Sequence, residues 1–222
     1  MCFVSKASVS RFCRFMGFAD FKDLRNQLEH DVLKTGLFPH AFVEQLSNDT
    51  EGALASYREA ILLNIETTIS AANIAKLPAI VDDLHDSGHV AFFSHHFLWD
   101  VGRYFQSRLT IMNRPIELYL DYSSQLACAQ SLTKSSLAII CSIGGTYPIR
   151  YPEIVNALAA SGCRLLAITQ NTSSAYWNHA SCILSCGVTN NIDTGKFGAL
   201  AAIDLIVMEY LRRYGADSGT GE

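Results

Sequence analysis

From about residue 88 onward the chain carries five short apolar runs, His89–Ser94, Ile116–Asp121, Leu137–Ser142, Arg164–Thr169 and Ser181–Cys186, separated by helix-length segments. None alternates apolar and polar residues, as a strand with one wet face does. A run that is apolar at consecutive positions must bury both faces, and a parallel strand between two helical layers does so. The expected fold class is α/β: a doubly wound five-stranded parallel sheet flanked by helices. The last helix, expected from about Lys196 to Tyr210, is so apolar that it is either deeply buried or part of a dimer interface.

The upstream half reads differently. Residues 1–30 hold two short helix patterns. Ser5 is placed to cap the first, whose Val9, Phe12, Cys13 and Met16 form an apolar stripe ending at Gly17; Asp20 is placed to cap a second that runs through Leu24 and Leu28. Residues 31–50 read as a connector containing Gly36, Pro39 and the polar Ser47–Thr50 cluster. Residues 51–86 read as helical, with Leu54, Tyr57, Ile61, Ile65 and Ile69 at helical spacing. They lead into the main domain at 51–214, with a polar tail at 215–222.

Composition narrows the function classes. The chain is 49% hydrophobic and 17% charged, which describes a folded globular protein. A net charge of −4 supplies no global attraction to nucleic acid or anionic lipid, so any DNA contact must come from a local patch. The longest apolar stretches, such as Leu137–Cys141 and Ala199–Met208, are too short to span a bilayer, and no secretory signal precedes them. Seven cysteines at irregular spacing suggest reduced thiols and a cytoplasmic location.

Ligands of open α/β sheets bind beyond the carboxyl ends of the strands. Two such ends stand out: Ser94-His95-His96-Phe97, and Cys141-Ser142-Ile143-Gly144-Gly145-Thr146. In the second, paired glycines free backbone amides to face a common centre and hydroxyls add donors, which suits a phosphate. Spacing alone leaves open a Gly-rich turn that merely leaves the strand. His95-His96, and the i, i+4 pair His85 and His89, lack an Asp/Glu/Cys set at ligand spacing, so they read as lining or packing residues, with no metal site. Cys182 and Cys186 straddle a strand on one side and read as buried structural thiols. No Ser/His/Asp spacing, Walker-type loop or carboxylate pair marks a catalytic mechanism, and no cofactor is implied. Near the start, Lys6, Arg11 and Arg14 with Ser8 and Ser10, in a stretch without acids, offer donors for DNA phosphates and bases, or a solvated basic helix face.

The segment Val4 to Phe18, with its Ser5-Lys6-Ala7, Arg11-Phe12-Cys13-Arg14 and Gly17-Phe18 elements followed by Phe21-Lys22-Asp23-Leu24, resembles the recognition helix and following helix of RpiR-family transcriptional regulators. The rest of the chain resembles that family's SIS (sugar isomerase) domain. The resemblance implies a regulator of sugar metabolism, not an enzyme, that binds a phosphorylated sugar or amino sugar. It also implies a homodimer and DNA contact through a helix-turn-helix. Ser94, His95, His96, Cys141, Ser142, Gly144, Gly145, Thr146 and Lys196 are the implied ligand positions, and Lys6, Ser8, Ser10, Arg11 and Arg14 the implied DNA contacts.

Departures accompany the likeness. The family's helices ahead of the recognition helix have no counterpart in this sequence, so either the gene product is expected to be longer than this chain or DNA binding is expected to be weakened or lost. The family's Gly-x-Gly-x-Ser becomes Ser94-His95-His96-Phe97-Leu98, and its Ser-x-Ser-Gly-x-Thr becomes Cys141 through Thr146, where Ser142 is an off-register hydroxyl. Pro148 and Pro152 predict a late start for the next helix, and the family's Ser-Arg pair becomes Gly195-Lys196. Each hydrogen bond to a charged phosphate is worth about 1.5–3 kcal/mol. Two lost hydroxyls therefore weaken a family-type ligand by roughly 10²–10⁴-fold unless His95, His96 or Lys196 compensates. Two alternatives stand beside the regulator: a sugar-phosphate isomerase using His95 or His96, and a SIS-fold dimer that binds neither ligand nor DNA.

Overall fold

Consecutive strand residues face opposite ways, so Val90 and Phe92 enter one apolar layer while Ala91 and Phe93 enter another. The computed structural model describes residues 6–15, 21, 38–189 and 193–215. Its helices are α1 (Lys6–Phe15), α2 (His40–Asn48), α3 (Thr50–Thr68), α4 (Ala71–Ile74), α5 (Leu77–Asp86), α6 (Phe97–Ile111), α7 (Tyr122–Ser131), α8 (Tyr147–Arg150), α9 (Pro152–Ser161) and α10 (Gly195–Tyr214). Strands β1 (His89–Phe93), β2 (Glu117–Leu118), β3 (Ser136–Cys141), β4 (Arg164–Thr169) and β5 (Cys182–Ser185) form one parallel sheet in the order β2-β1-β3-β4-β5. This is the expected five-stranded doubly wound sheet.

Helices cover both faces, which explains the unbroken apolar runs. On one side Leu84 of α5, Phe105 of α6 and Ile206 of α10 pack with Phe92, Ile139 and Ile168. On the other, Ala129 of α7 and Ile154 and Leu158 of α9 pack with Phe93, Ile140 and Ala167. Every residue of β3 is buried. Only β2 falls well short of expectation: the run to Asp121 shrinks to two residues. It is an edge strand. Beyond it Leu120 turns out to solvent, and Asp121 instead caps α7, accepting from the Ser124 amide at 2.8 Å.

The chain divides into two compact units, residues 1–55 and 56–222. In the first, α1 buries Cys13 and leaves Phe12 exposed. The segment read as a connector contains α2, which buries Phe42 and packs its ring at a tilt against Phe38. Of the expected second helix from Asp20 through Leu28 only Phe21 is described, as helical and exposed, and the tail from 216 lies outside the described residues.

In the second unit, the helical stretch to residue 86 is broken twice. Ser70 caps α4 through the Asn73 amide, and Pro78 sits in the first turn of α5, where its missing N–H costs nothing. The expected apolar stripe does not face inward throughout, since Ile69 is exposed. The fully buried residues near it are polar, Asn64 and Thr68. On α10, Gly198 is obligatory: a Cβ there would lie 1.9 Å from the Cys186 carbonyl oxygen.

Candidate functional site

The chain leaves β1 toward β2 on one side and returns to β3 on the other, so β1 and β3 flank the point where strand order reverses. The segments leaving them diverge to opposite faces: α6 follows β1 into one layer, and Tyr147 and α9 follow β3 into the other. That divergence opens a crevice at the carboxyl ends, the general ligand position of open α/β sheets. A cavity of about 280 Å³ fills it here. His95, His96, Phe97 and Leu98 line one side, Ser142, Ile143, Gly144 and Thr146 a second, and Asp193 and Lys196 a third. Three implied positions lie elsewhere. Ser94 is wholly buried beneath the loop, the Cys141 thiol belongs to the apolar core, and Gly145 turns the chain behind the lining.

The loop after β3 is tied down by its own backbone. The Ser142 amide donates to the Ile168 carbonyl, and the Gly145 amide to the Ser142 carbonyl, both at 3.0 Å. Ile143 O accepts from Thr169 Oγ1 and from the Gln170 amide. Gly145 adopts φ 71°, and a Cβ there would press on Asn171 at 3.3 Å. Among the described residues no bond engages the amides of Gly144 and Thr146, so both remain for a ligand. The off-register hydroxyl of Ser142 is used inside the fold: it accepts from the Tyr147 amide at 3.0 Å. The expected delay of the next helix takes a specific form. A single turn, α8, starts at once, and the longer α9 waits until Pro152.

Two long helices open onto the cavity by their amino termini. α6 begins after His96 and α10 after Thr194, and neither has a side-chain cap. The helix dipole makes both ends favourable for an anion. Lys196 adds a cation at 2.7 Å from Asp193, which partly neutralises it. The Lys196 ammonium also lies 5.9 Å from the Phe97 ring and 5.8 Å from the Phe197 ring.

His95 and His96 play different parts. His96 holds φ 52° and ψ −138°, a conformation that favours glycine and stands where the resembling family has one. The backbone shape therefore persists without the glycine, at a cost in strain. His95 is half-buried, its ring 4.9 Å from His96 and 5.9 Å from both Tyr147 and Tyr151. Burial, then the nearby His96 and Arg150, lowers its pKa to about 4, so it is neutral at pH 7. Its Nδ1 is buried and unpartnered among the described residues.

Sequence reading missed the groups that hold these loops. The fully buried Tyr147 donates its hydroxyl to Gln125 Oε1 at 2.6 Å, and Gln125 Nε2 donates to the Ser94 carbonyl at 3.1 Å. Asn64 holds the approach to α10: its Nδ2 donates to Thr194 Oγ1 and the Thr189 carbonyl, and its Oδ1 accepts from the Val188 and Thr189 amides. No local pattern marks these residues, because each acts on chain far from it. His85 and His89 part company: His85 stacks on Tyr214 at 3.8 Å, while His89 opens β1. Cys182 and Cys186 pack on one apolar layer, and burial pushes Cys186 up to about 12.

In the first unit, Lys6 opens α1, Ser8 and Ser10 are half-buried, and Arg11 and Arg14, three apart on the helix, are exposed.

A doubly wound parallel sheet with helix termini and a lysine around its switch-point cavity defines an α/β domain suited to small anionic ligands. Neither a family model nor a curated protein matches the sequence. Solved structures do. The chain is similar to Vibrio vulnificus NanR complexed with ManNAc-6P, with 22% identity and a TM-score of 0.63 over 97% of this chain and 78% of that one. It is similar to the sugar isomerase domain of an RpiR transcription factor from Sphaerobacter thermophilus, with 18% identity and a TM-score of 0.56 over 65% and 81%. A Methanococcus jannaschii protein with an inferred 3-hexulose-6-phosphate isomerase function matches at 16% identity and a TM-score of 0.60 over 72% and 92%. These likenesses show the fold: a five-stranded parallel SIS-type sandwich, with helices ahead of it. No helix among the described residues is long and apolar enough to cross a membrane.

Proposed function

We propose that this protein is a cytoplasmic regulator of sugar metabolism whose sandwich domain binds a phosphorylated sugar or amino sugar and whose α1 contacts DNA. The observation that carries the reading is the switch-point cavity, where the amino termini of α6 and α10, the amides of Gly144 and Thr146 and the Lys196 ammonium all border one space. In this reading the phosphate sits against those donors, and the neutral His95 and the Thr146 hydroxyl bond the sugar. The volume suits one monosaccharide. NanR, complexed with ManNAc-6P, makes amino-sugar phosphates the first ligands to try.

Isothermal calorimetry against ManNAc-6P and a panel of hexose and pentose phosphates tests the ligand. No heat from any of them, with the protein folded, would sink the reading. For DNA, Arg11 and Arg14 supply exposed cations and Lys6, Ser8 and Ser10 further donors. Fluorescence anisotropy with the gene's upstream region should show salt-sensitive, sequence-selective binding. Ligand binding without DNA binding would instead assign a sensing dimer. Self-association is proposed through the exposed Met208 and Leu211 of α10, and a monomer in light scattering at micromolar concentration contradicts it.

The isomerase reading draws on the Methanococcus protein and on His95 beside the cavity. A general base works best with a pKa near the working pH, and His95 at about 4 is a weak one. Ligand binding without turnover of any bound sugar phosphate separates the two.

A further inference from the structure

Three elements at the sheet edge each bring one ligating side chain to a common point. His89 opens β1, Glu117 opens β2, and Cys128 lies on the sheet-facing side of α7. His89 Nε2 is 2.9 Å from Glu117 Oε1, and Cys128 Sγ is 3.4 Å from Glu117 Oε2. The three donor atoms all lie within 4.8 Å of one another. Around a tetrahedral ion with bonds of about 2.0–2.3 Å, donors stand roughly 3.3–3.8 Å apart, so shifts of about 1 Å or less complete the set.

A second observation points the same way. His89 Nε2 is buried and makes no hydrogen bond among the described residues, although Glu117 Oε1 lies 2.9 Å away. A buried ring nitrogen with no bond of its own calls for a missing partner, and a bound ion is one. Glu117 is meanwhile steadied by the Tyr119 hydroxyl, which donates to Oε2 at 3.1 Å, as outer groups orient a ligating carboxylate.

We propose that His89, Glu117 and Cys128 bind a divalent cation of the zinc class, with water from the open sheet edge as fourth ligand. One imidazole, one carboxylate and one thiolate suit a borderline-soft ion better than magnesium or calcium, which prefer oxygen alone. On binding, the Cys128 thiol releases its proton to solvent. The site sits at the opposite end of β1 from the sugar cavity and does not depend on it. Its role is structural: β2 pairs with β1 through only two residues, Glu117 and Leu118, and an ion clips this short edge strand and α7 to β1.

The test uses the full chain, stripped of metal with a chelator and dialysed against Zn²⁺, beside Cys128→Ser, His89→Gln and the control Cys163→Ser. The wild type and the control should hold about one zinc equivalent more than the other two variants. The cobalt-loaded wild type should show a thiolate-to-cobalt charge-transfer band that Cys128→Ser loses. Equal stoichiometry in all four proteins, with no band difference, overturns the proposal and leaves a metal-free trio. Should either variant fold poorly, the wild type alone decides: a thermal midpoint that rises with zinc supports the site, and an unresponsive one overturns it.

Discussion

The Tyr147 hydroxyl donates to Gln125 Oε1 at 2.6 Å, and through Gln125 it is joined to the Ser94 carbonyl, so the two loops that flank the cavity share one buried tether. Both side chains are almost wholly buried. Each loop's position therefore depends on the other's.

Tyr147→Phe removes the donor and strands the Gln125 oxygen. Stability should fall by about 1–3 kcal/mol, read as a lower urea midpoint. Sugar-phosphate affinity should fall with it, because His95 and the Gly144–Thr146 amides lose their common reference. Unchanged affinity would mean that the loops are held independently.

His96→Gly should stabilise the fold. A non-glycine residue in this conformation costs about 1–3 kcal/mol, and the entropy of glycine returns only about 0.5–1 kcal/mol of that to the unfolded state. Denaturant melts should show a net gain of up to about 2 kcal/mol. Loss of the His96 ring should also let the His95 pKa rise from about 4, which an NMR titration reads directly.

Acid should destabilise the domain earlier than its carboxylates alone would. The His95 pKa is depressed to about 4 in the fold, against about 6.5 when the chain is unfolded. Between those values the unfolded chain binds the extra proton, so the stability owed to neutral His95 is complete above about pH 6.5 and drains away toward pH 4. A His95→Asn variant should flatten the slope of stability in that window and leave the slope above it untouched.

Ligand affinity should respond in opposite directions to two changes at the cavity wall. Lys196→Ala removes the cation and leaves Asp193 facing the anion, so sugar-phosphate binding should weaken by at least about 10–100-fold. Ile143→Ser restores a hydroxyl beside Gly144 and should strengthen it by about tenfold or more. Calorimetry on both variants with the same ligand is the check. Two shifts of the same sign would place the phosphate elsewhere.

Much of the fold was legible because burial on both faces leaves a local mark. Every residue of β3 is buried, and so from Leu137 to Cys141 its run is apolar. The loops after β1 and β3, which line the cavity, were legible as candidates for a related reason, since their glycines, hydroxyls and histidines sit at strand ends. The buried polar groups were not. Asn64 lies in a helix whose visible pattern is Ile61, Ile65 and Ile69, yet it is Asn64 that is wholly buried, bonded to Thr189 and Thr194 far along the chain. The two-residue β2 was overestimated because Tyr119 and Leu120 have the composition of a strand without a second neighbour to pair with.

By itself, then, the sequence determined the class of fold and the two loops worth inspecting, since hydrophobic periodicity and turn chemistry act over a few residues. The tertiary structure alone decided which groups meet. Strand order set β1 beside β3 and so created the cavity. It also brought Tyr147 to Gln125, and His89 to Glu117 and Cys128. Those meetings depend on how separate elements pack, and no spacing along the chain encodes a distance across it.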